Sequence, residues 1–448
     1  MLKSILIANR GEIARRIVRT AKLLGIQTIA VYSDIDERSL FVQEANKTLR
    51  IGGAKPKDSY LNIDKIIAAA KESGAAAVHP GYGFLSERWE FAERCEREGL
   101  IFVGPSSEVL HGMGDKYRSR EVATNLGVPI PPGSGILSSV GEAEDWATRL
   151  SFPVIFKASA GGGGIGMMKV ETEQETAEAF EMATNRAKLA FGDERIYVEK
   201  YLESPHHIEI QILGDKDGNV VTFPERECSV QRRHQKVIEE SPSPFSGEEL
   251  RRELRHAARR LAQGIGYRNA GTVEFVVDGH RNYYFLEINA RLQVEHPITE
   301  MITGVDLVEQ QMKIASGESM LLREEGLNWK GWVVESRVYA EDSKNFYPSP
   351  GKIISYVEPH GEGIRVDSGY QAGDTVSQFY DPLIAKVIVW GKDRERAIVR
   401  IQQALDSYEI TGIKNNIPFL KEAFDSGLFK SGNYDTHFIS KLKEGKNG

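Results

Sequence analysis

The sequence predicts an α/β chain that becomes α+β towards its C-terminus: a doubly wound parallel sheet, a small domain built on a glycine-rich hairpin, and a large α+β domain. Three observations predict it. Short β-rich runs alternate with amphipathic stretches over the first hundred residues, the pattern of βαβ units. The cluster Pro131-Pro132-Gly133-Ser134-Gly135 interrupts that alternation. After Tyr201 long strands and hairpins take over. At 448 residues and about 150 residues per domain the chain has room for three cores, with expected limits at 1–114, 115–203 and 204–448.

The elements follow in order. Ser4 to Ala8 reads as a strand, Glu12 to Leu24 as a helix with Ile13, Ile17 and Ala21 on one face, and Thr28 to Tyr32 as the next strand. Ala75 to His79 and Leu100 to Val103 add buried strands around a helix from Glu87 to Glu98, and a parallel sheet accounts for them. The first turn, Asn9-Arg10-Gly11-Glu12, lacks the paired glycines of a dinucleotide site. Pro153 to Ala158 and Met167 to Val170 read as strands flanking a glycine loop, followed by a helix from Glu173 to Ala190. Further on, Ser246 and Glu249 have capping-box spacing ahead of an apolar face formed by Leu254, Ala257, Ala258, Leu261 and Ile265.

Composition narrows the function. Hydrophobic residues make up 41% and charged residues 27%, which is ordinary globular usage. With 57 Lys and Arg against 64 Asp and Glu, the formal charge of -7 argues against nucleic acid or an anionic membrane as partner, so an anionic ligand must be met by local positive charge. No apolar run reaches the roughly 18 residues of a membrane span, and a cytoplasmic protein is expected. Cys95 and Cys228 are the only cysteines, far apart, so neither a disulfide framework nor a zinc site is expected.

Three segments carry chemistry. Ser159 to Gly166 holds four successive glycines, Gly161 to Gly164. It satisfies G-x-G-x-x-G literally, yet leads into a strand where a dinucleotide fold needs a helix, and there is no P-loop pattern. What remains is a hairpin tip of bare backbone whose N–H groups can close over phosphate oxygens, with Lys157 beside it. The second segment is a hairpin, Thr272 to Val277 and Tyr283 to Asn289. Alternation puts Glu287 and Asn289 on one face, with Tyr284, Leu286 and Ile288 on the other and Glu274 on the partner strand, a hard-oxygen set suited to Mg²⁺. The third, Gln231-Arg232-Arg233-His234-Gln235-Lys236, is basic but flanked by Glu225, Glu227, Glu239 and Glu240, so a small anion suits it better than a polyanion. Taken alone, His207 and His234 read as satisfied buried histidines and Cys228 as a packed residue.

With flap, carboxylate hairpin and basic cluster in this order, the chain resembles the biotin carboxylases of the ATP-grasp superfamily over essentially its whole length. The motifs are Ala8 to Ala14, His79 to Glu87, Lys157 to Met167, Gln231 to Lys236 with Glu239 and Glu240, Glu287 to Thr299, and Asn345 to Lys352. The resemblance implies an N-terminal domain, an ATP-grasp lid and a C-terminal α+β domain. It also implies that ATP phosphorylates bicarbonate to carboxyphosphate, whose CO₂ carboxylates N1′ of biotin. By resemblance, Lys116, Lys157 and the flap of Gly162, Gly163, Gly164 and Met167 meet nucleotide phosphates; Glu199, Lys200 and Leu202 receive adenine; and His207, Gln231 and His234 line the nucleotide site. Glu274, Glu287 and Asn289 bind Mg²⁺ or Mn²⁺. Lys236, Arg291, Gln293 and the Val294 backbone cradle bicarbonate, Glu295 is the general base and Arg337 stabilises the biotin enolate. Lys236 and Arg291 are expected to keep Glu295 ionised.

Ile165 and Met168 stand where many relatives have arginines, and Ala290 where threonine is common. The resemblance further implies a homodimer that includes Phe379-Tyr380-Asp381 in its surface. As partners it implies a separate biotin carboxyl carrier protein and a carboxyltransferase. The near matches to a biotinylation site, Met168-Lys169-Val170 and Met312-Lys313-Ile314, fall in a strand and a helix. Another ATP-grasp ligase, such as a purine-pathway carboxylating enzyme, and a non-enzymatic nucleotide-binding regulator are the alternatives.

Overall fold

The computed structural model describes residues 2–160 and 166–445. Gly162, Gly163, Gly164 and Ile165 of the glycine loop lie outside the described residues. Strands β1 (Ser4–Ile7), β2 (Gln27–Ser33), β3 (Lys47–Gly52), β4 (Ala77–His79) and β5 (Ile101–Phe102) form a parallel sheet in the order β3-β2-β1-β4-β5. The central strands β1 and β4 are buried throughout because helices cover both faces, whereas the edge strand β3, which the sequence pattern did not mark, carries Lys47, Thr48 and Arg50 and is largely exposed.

A three-stranded antiparallel sheet follows, β7-β6-β8, from β6 (Val154–Ala158), β7 (Met168–Val170) and β8 (Ile196–Lys200). The Val140–Leu150 and Thr176–Phe191 helices cover it. Val154, Phe156, Val170, Ala183, Ile196 and Val198 belong to a small core of its own.

The remaining strands are β9 (His206–Gly214), β10 (Val220–Thr222), β11 (Arg226–Arg232), β12 (Gln235–Ser241), β13 (Asn269–Val277), β14 (Tyr283–Asn289), β15 (Trp332–Tyr339), β16 (Gly351–Lys352), β17 (Tyr356–Val357), β18 (Ile364–Ser368), β19 (Thr375–Val376), β20 (Leu383–Gly391) and β21 (Glu409–Ile410). Nine of them build one sheet, β14-β13-β9-β11-β12-β15-β20-β18, with β10 on β9. Its face packs into the same core as the first sheet: Ile208, Ile210, Phe275 and Phe285 share a cluster with Leu6, Ile29 and Val78.

Two local expectations are corrected. The Glu248–Gly264 helix is capped by Gly247, not by Ser246, and no capping box forms. The Ser246 N–H is taken by Ser243 Oγ at 3.2 Å, which places Ser246 before the first turn with its own hydroxyl buried and unpartnered. The apolar face behind it is as expected, with Leu250, Leu254, Ala257, Ala258 and Leu261 buried. In the hairpin, Phe275 pairs with Phe285 but Glu274 with Glu287, so β14 carries one extra residue, Leu286. That bulge breaks the alternation, and Leu286 lines the cavity beside Glu287 instead of facing away.

Candidate active site

A cavity of about 950 Å³ lies between the three sheets. Its floor begins with alternation. In β9, His207, Glu209 and Gln211 share one face while Ile208, Ile210 and Ile212 go to the core. Register then aligns acids across strands: Glu209 stands opposite Glu274, and Glu274 opposite Glu287. Like charges directly opposite one another destabilise a sheet, so this row of three carboxylates requires cations.

Lys236 supplies the first. From β12 its ammonium donates to Glu274 Oε1 at 2.7 Å and Glu295 Oε1 at 2.6 Å, and also to Glu209. Arg226, fully buried, holds Glu209 Oε1 at 2.5 Å. Lys116, from the start of the Lys116–Asn125 helix, donates to Glu287 Oε2 at 2.6 Å. Burial opposes the charge on Lys236, but the three carboxylates hold its pKa well above the usual lysine value.

Glu295 sits at the end of the row. Burial would raise its pKa; Lys236, Arg337 and Arg226 instead hold it well below the usual carboxylate range. Arg337 Nη2 reaches Glu295 Oε2 at 2.9 Å while its Nε donates to Glu239 Oε1 at 2.6 Å. The direct hydrogen-bond partners of Glu295 are thus Lys236 and Arg337, while Arg291 acts on it through charge and not by contact. Arg291 turns to Glu87 (Nε to Oε2, 2.8 Å), Gln293 Oε1 (3.0 Å) and Asn289 Oδ1 (3.0 Å). Gln293 Nε2 in turn reaches Glu274 Oε1 at 3.3 Å, and Val294 O accepts from the buried Lys386 at 2.8 Å.

His207 Nδ1 lies 2.8 Å from Gln231 Nε2, which can only donate, so the ring proton belongs on Nε2, 2.9 Å from Glu274 Oε2. Burial works against the imidazolium, yet Glu274 lifts the His207 pKa above its usual value. His234 is exposed, not buried as the sequence alone suggested, and is shifted the other way by partial desolvation and by Lys157. It forms the β11–β12 tip with Arg233, both at positive φ (65° and 49°), a strained turn for two bulky residues.

The far wall belongs to the small sheet. Lys157 meets Glu199, which also meets Arg120; both carboxylate contacts are buried. Burial, then Lys116 and Arg120, press the Lys157 pKa down to about 7, against the opposing charge of Glu287. Met167, Lys200 and Leu202 line the same wall, although the Lys200 ammonium points to Ser151 O at 2.8 Å.

Every predicted site residue that the structure describes thus lines this one cavity. Sequence reasoning gave no site role to Glu209, Arg226, Arg120, His437 and Ile439, named Tyr82 and Glu87 only within a family motif, and placed Asp381 only in a dimer surface. The polar-apolar alternation of His207 to Ile212 was a readable signal for Glu209; the others come from distant segments. Among the described residues, His207, Glu209 and Glu274 also bring ligand atoms within 4.8 Å of one another, but the Lys236 ammonium already bonds two of them. Tyr380 and Asp381 line the cavity as well, Tyr380 packing over the Arg10 guanidinium at 4.3 Å.

Family models match along almost the whole chain: a biotin carboxylase N-terminal domain over residues 1–110, the ATP-binding domain of the carbamoyl-phosphate synthase L chain over 115–323, and a biotin carboxylase C-terminal domain over 335–441. Biotin carboxylase 2 of Bacillus subtilis is 48% identical over 442 residues, which cover 98% of this chain and 100% of that one. The chain belongs to the biotin carboxylase family. The biotin carboxylase of Halalkalibacterium halodurans is also 48% identical, over 100% of this chain and 100% of its own.

Two solved structures superpose closely. A biotin carboxylase β-γ-ATP complex from Campylobacter jejuni has a TM-score of 0.96 at 45% identity, covering 98% of this chain and 99% of that one. The biotin carboxylase domain dimer of Hydrogenobacter thermophilus 2-oxoglutarate carboxylase, in complex with MgADP, ADP and bicarbonate, also has a TM-score of 0.96, at 46% identity, over 99% and 98% of the two chains. The matches at both ends, and not only in the ATP-binding part, set aside a different ATP-grasp ligase. The activity is that of the family: ATP-dependent carboxylation of biotin. Among the described residues no helix is long and apolar enough to cross a membrane.

Proposed function

We propose that the cavity floor binds bicarbonate beside ATP and that Glu295 takes the bicarbonate proton. The observation that carries this reading is the placement of Glu295, a buried carboxylate kept ionised between the Lys236 ammonium and the Arg337 guanidinium. A base must lose its proton before it can accept one. Arg291, Gln293 and the Val294 N–H form the polar edge beside it; a planar oxyanion fits the guanidinium fork as it would not fit an ammonium. The deprotonated bicarbonate oxygen attacks the γ-phosphorus, the bond to ADP breaks, and carboxyphosphate then cleaves to CO₂ and phosphate next to biotin. The released phosphate takes the N1′ proton, N1′ bonds to the carbon of CO₂, and Arg337 faces the biotin enolate oxygen that forms between these steps.

Phosphoryl transfer needs positioning and charge neutralisation. Lys116 and Lys157 supply cations for the phosphates, and the glycine flap supplies N–H groups. Glu199, Lys200, Leu202, His207, Gln231 and His234 line the nucleotide's place. Glu274 and Glu287, directly opposite each other, with Asn289 two residues on, present hard oxygens on one face and fit Mg²⁺ or Mn²⁺. A divalent ion there would neutralise phosphate charge.

The relatives include chains named for pyruvate and propionyl-CoA carboxylases. A biotinyl carrier protein and a carboxyltransferase therefore complete the reaction, in the cytoplasm. The dimer named for the Hydrogenobacter domain supports a homodimer here, and domain limits at 1–114, 115–203 and 204–448 fit the three sheets. Bicarbonate-dependent ATP cleavage that free biotin stimulates, and an added carrier stimulates further, tests the reading; indifference to biotin would overturn it.

A further inference from the structure

Behind Arg337, three carboxyl oxygens are buried without a hydrogen-bond partner: Glu239 Oε2 and both oxygens of Glu335. Neither side chain reaches solvent. The two residues face each other directly across β12 and β15, and such pairs hold their Cβ atoms about 4.5 to 5.5 Å apart on one face. Arg337 lies two residues beyond Glu335, on the same face, and donates to Glu239 Oε1. Its guanidinium is thus shared between Glu239 behind and Glu295 in front. Two ionised carboxylates at Glu239 and Glu335 would add a second buried negative charge with no cation of its own.

We propose that Glu239 and Glu335 hold one proton between them, Glu335 donating its O–H to Glu239 Oε2, and that this pair positions Arg337 at the active site. A single proton gives partners to two of the three orphaned oxygens, a saving of the kind that buried polar groups require. The charged and titratable groups around the pair are consistent with it. Lys386 approaches from β20, opposite Arg337, but its ammonium bonds Val294 O at 2.8 Å and lies 3.1 Å from Glu12 Oε1. Lys236 is committed to Glu209, Glu274 and Glu295, and buried His296, on the helix above, donates from Nδ1 to Gln293 O. Burial pushes Glu335 well above the usual carboxylate range and, against Arg337, lifts Glu239 to about 7. The shared proton stands on this geometry alone; the positioning half rests on the role proposed for Arg337.

Glu335→Gln keeps shape and donor while fixing the neutral state, so denaturant unfolding of the full chain and this variant from pH 5.5 to 8.5 tests the proton. A carboxyl whose folded pKa is raised binds its proton in the folded state and not in the unfolded state, where it titrates near 4.3. The wild-type chain therefore loses stability as pH rises, and the variant does not lose this contribution. The folding equilibrium of the variant should gain on wild type by up to about tenfold per pH unit. A difference independent of pH, or one that turns against the variant as pH rises, overturns the shared proton and makes Glu335 an ionised partner of Lys386.

Should the variant not fold, infrared spectra of wild type at pH 8, with carboxyl-labelled glutamate, must still show a protonated glutamic acid carbonyl; its absence overturns the proposal. For positioning, Glu335→Leu should lower kcat for biotin carboxylation more than kcat for bicarbonate-dependent ATP cleavage, and Glu335→Gln should recover most of that loss. Equal losses in both reactions, or none recovered by Gln, refute the positioning half and leave the proton and the family reaction untouched.

Discussion

The floor of the cavity and its far wall handle charge in opposite ways. On the floor, Lys236 and Arg337 tie β12 and β15 to Glu209, Glu274, Glu239 and Glu295, and the sheet beneath shares a core with the N-terminal sheet. The wall is a three-stranded sheet with a small separate core, and its buried ions pair among themselves: Lys157 with Glu199, and Glu199 with Arg120. Lys116 spans the gap to Glu287. The floor pairs keep Glu295 ionised, as the proposed mechanism requires. On the proposed reading Lys116 and Lys157, by contrast, would give up some contact with Glu287 and Glu199 to meet phosphates. The contrast is between a charged floor that shares the main core and a wall with a small core of its own.

The largest effect should come from the floor. Glu295→Gln keeps size and hydrogen bonding but removes the base, and biotin-dependent turnover should fall by about 10²- to 10⁴-fold while ATP still binds. Steady-state rates with calorimetric ATP titration check this, and normal rates would remove Glu295 from the mechanism. Next, Arg337→Lys keeps the charge but cannot bridge Glu239 and Glu295 with a planar fork. Lost hydrogen bonds between charged groups cost about 1.5 to 3 kcal/mol, so biotin carboxylation should fall by roughly 10- to 100-fold, and bicarbonate-dependent ATP cleavage by less. Equal losses would contradict the division of labour.

On the wall, Lys157 is pressed to about 7 by burial and by Lys116 and Arg120, so its charge is lost as pH rises through that value in the free enzyme. Only the ammonium attracts phosphate, so ATP affinity should weaken above pH 7, by at most about tenfold per pH unit, and binding at pH 8 should take up a proton. Calorimetry in two buffers of different ionisation enthalpy measures the uptake, and Lys157→Arg, always charged, should abolish it. No uptake in wild type would mean that Glu199 already keeps the ammonium charged.

How much of this could be read from the sequence follows the same division. Glu274, Glu287 and Asn289 were legible because one hairpin carries them, and Lys157 because it adjoins the glycines. The bulge at Leu286 was not, since one extra residue leaves no mark in an alternating run. Arg337 and Lys236 are 101 positions apart by number, and only the β12–β15 pairing brings them to one carboxylate. The guanidinium nearer in sequence, Arg291, was expected to help keep Glu295 ionised; its charge does act on Glu295, but it bonds Glu87, while the direct guanidinium contact from Arg337 was not foreseen. The capping box failed on local competition, with Ser243 taking the Ser246 N–H. Four strands of the parallel sheet were legible because they read as short, mostly buried apolar runs, but β3 was not, since Lys47, Thr48 and Arg50 on this exposed edge break up any apolar run.

The smallest effect tests whether wall and floor are separate at all. Ser134 fastens the chain entering the wall to β8: its Oγ accepts from the Val198 N–H at 3.0 Å and donates to Gly135 O at 2.6 Å, and its own N–H meets Val198 O at 2.9 Å. Ser134→Ala leaves the buried Val198 N–H without its partner, a cost of about 1 to 3 kcal/mol. If the wall opens as its own unit, that cost appears locally. Amides of β6 and β8 should exchange faster with deuterium, those of β9, β12 and β13 should not change, and turnover should change little, because no floor contact is touched. Equal loss of protection in both sets would show that wall and floor unfold together, and the separate core around Phe156 would then not confer independent stability.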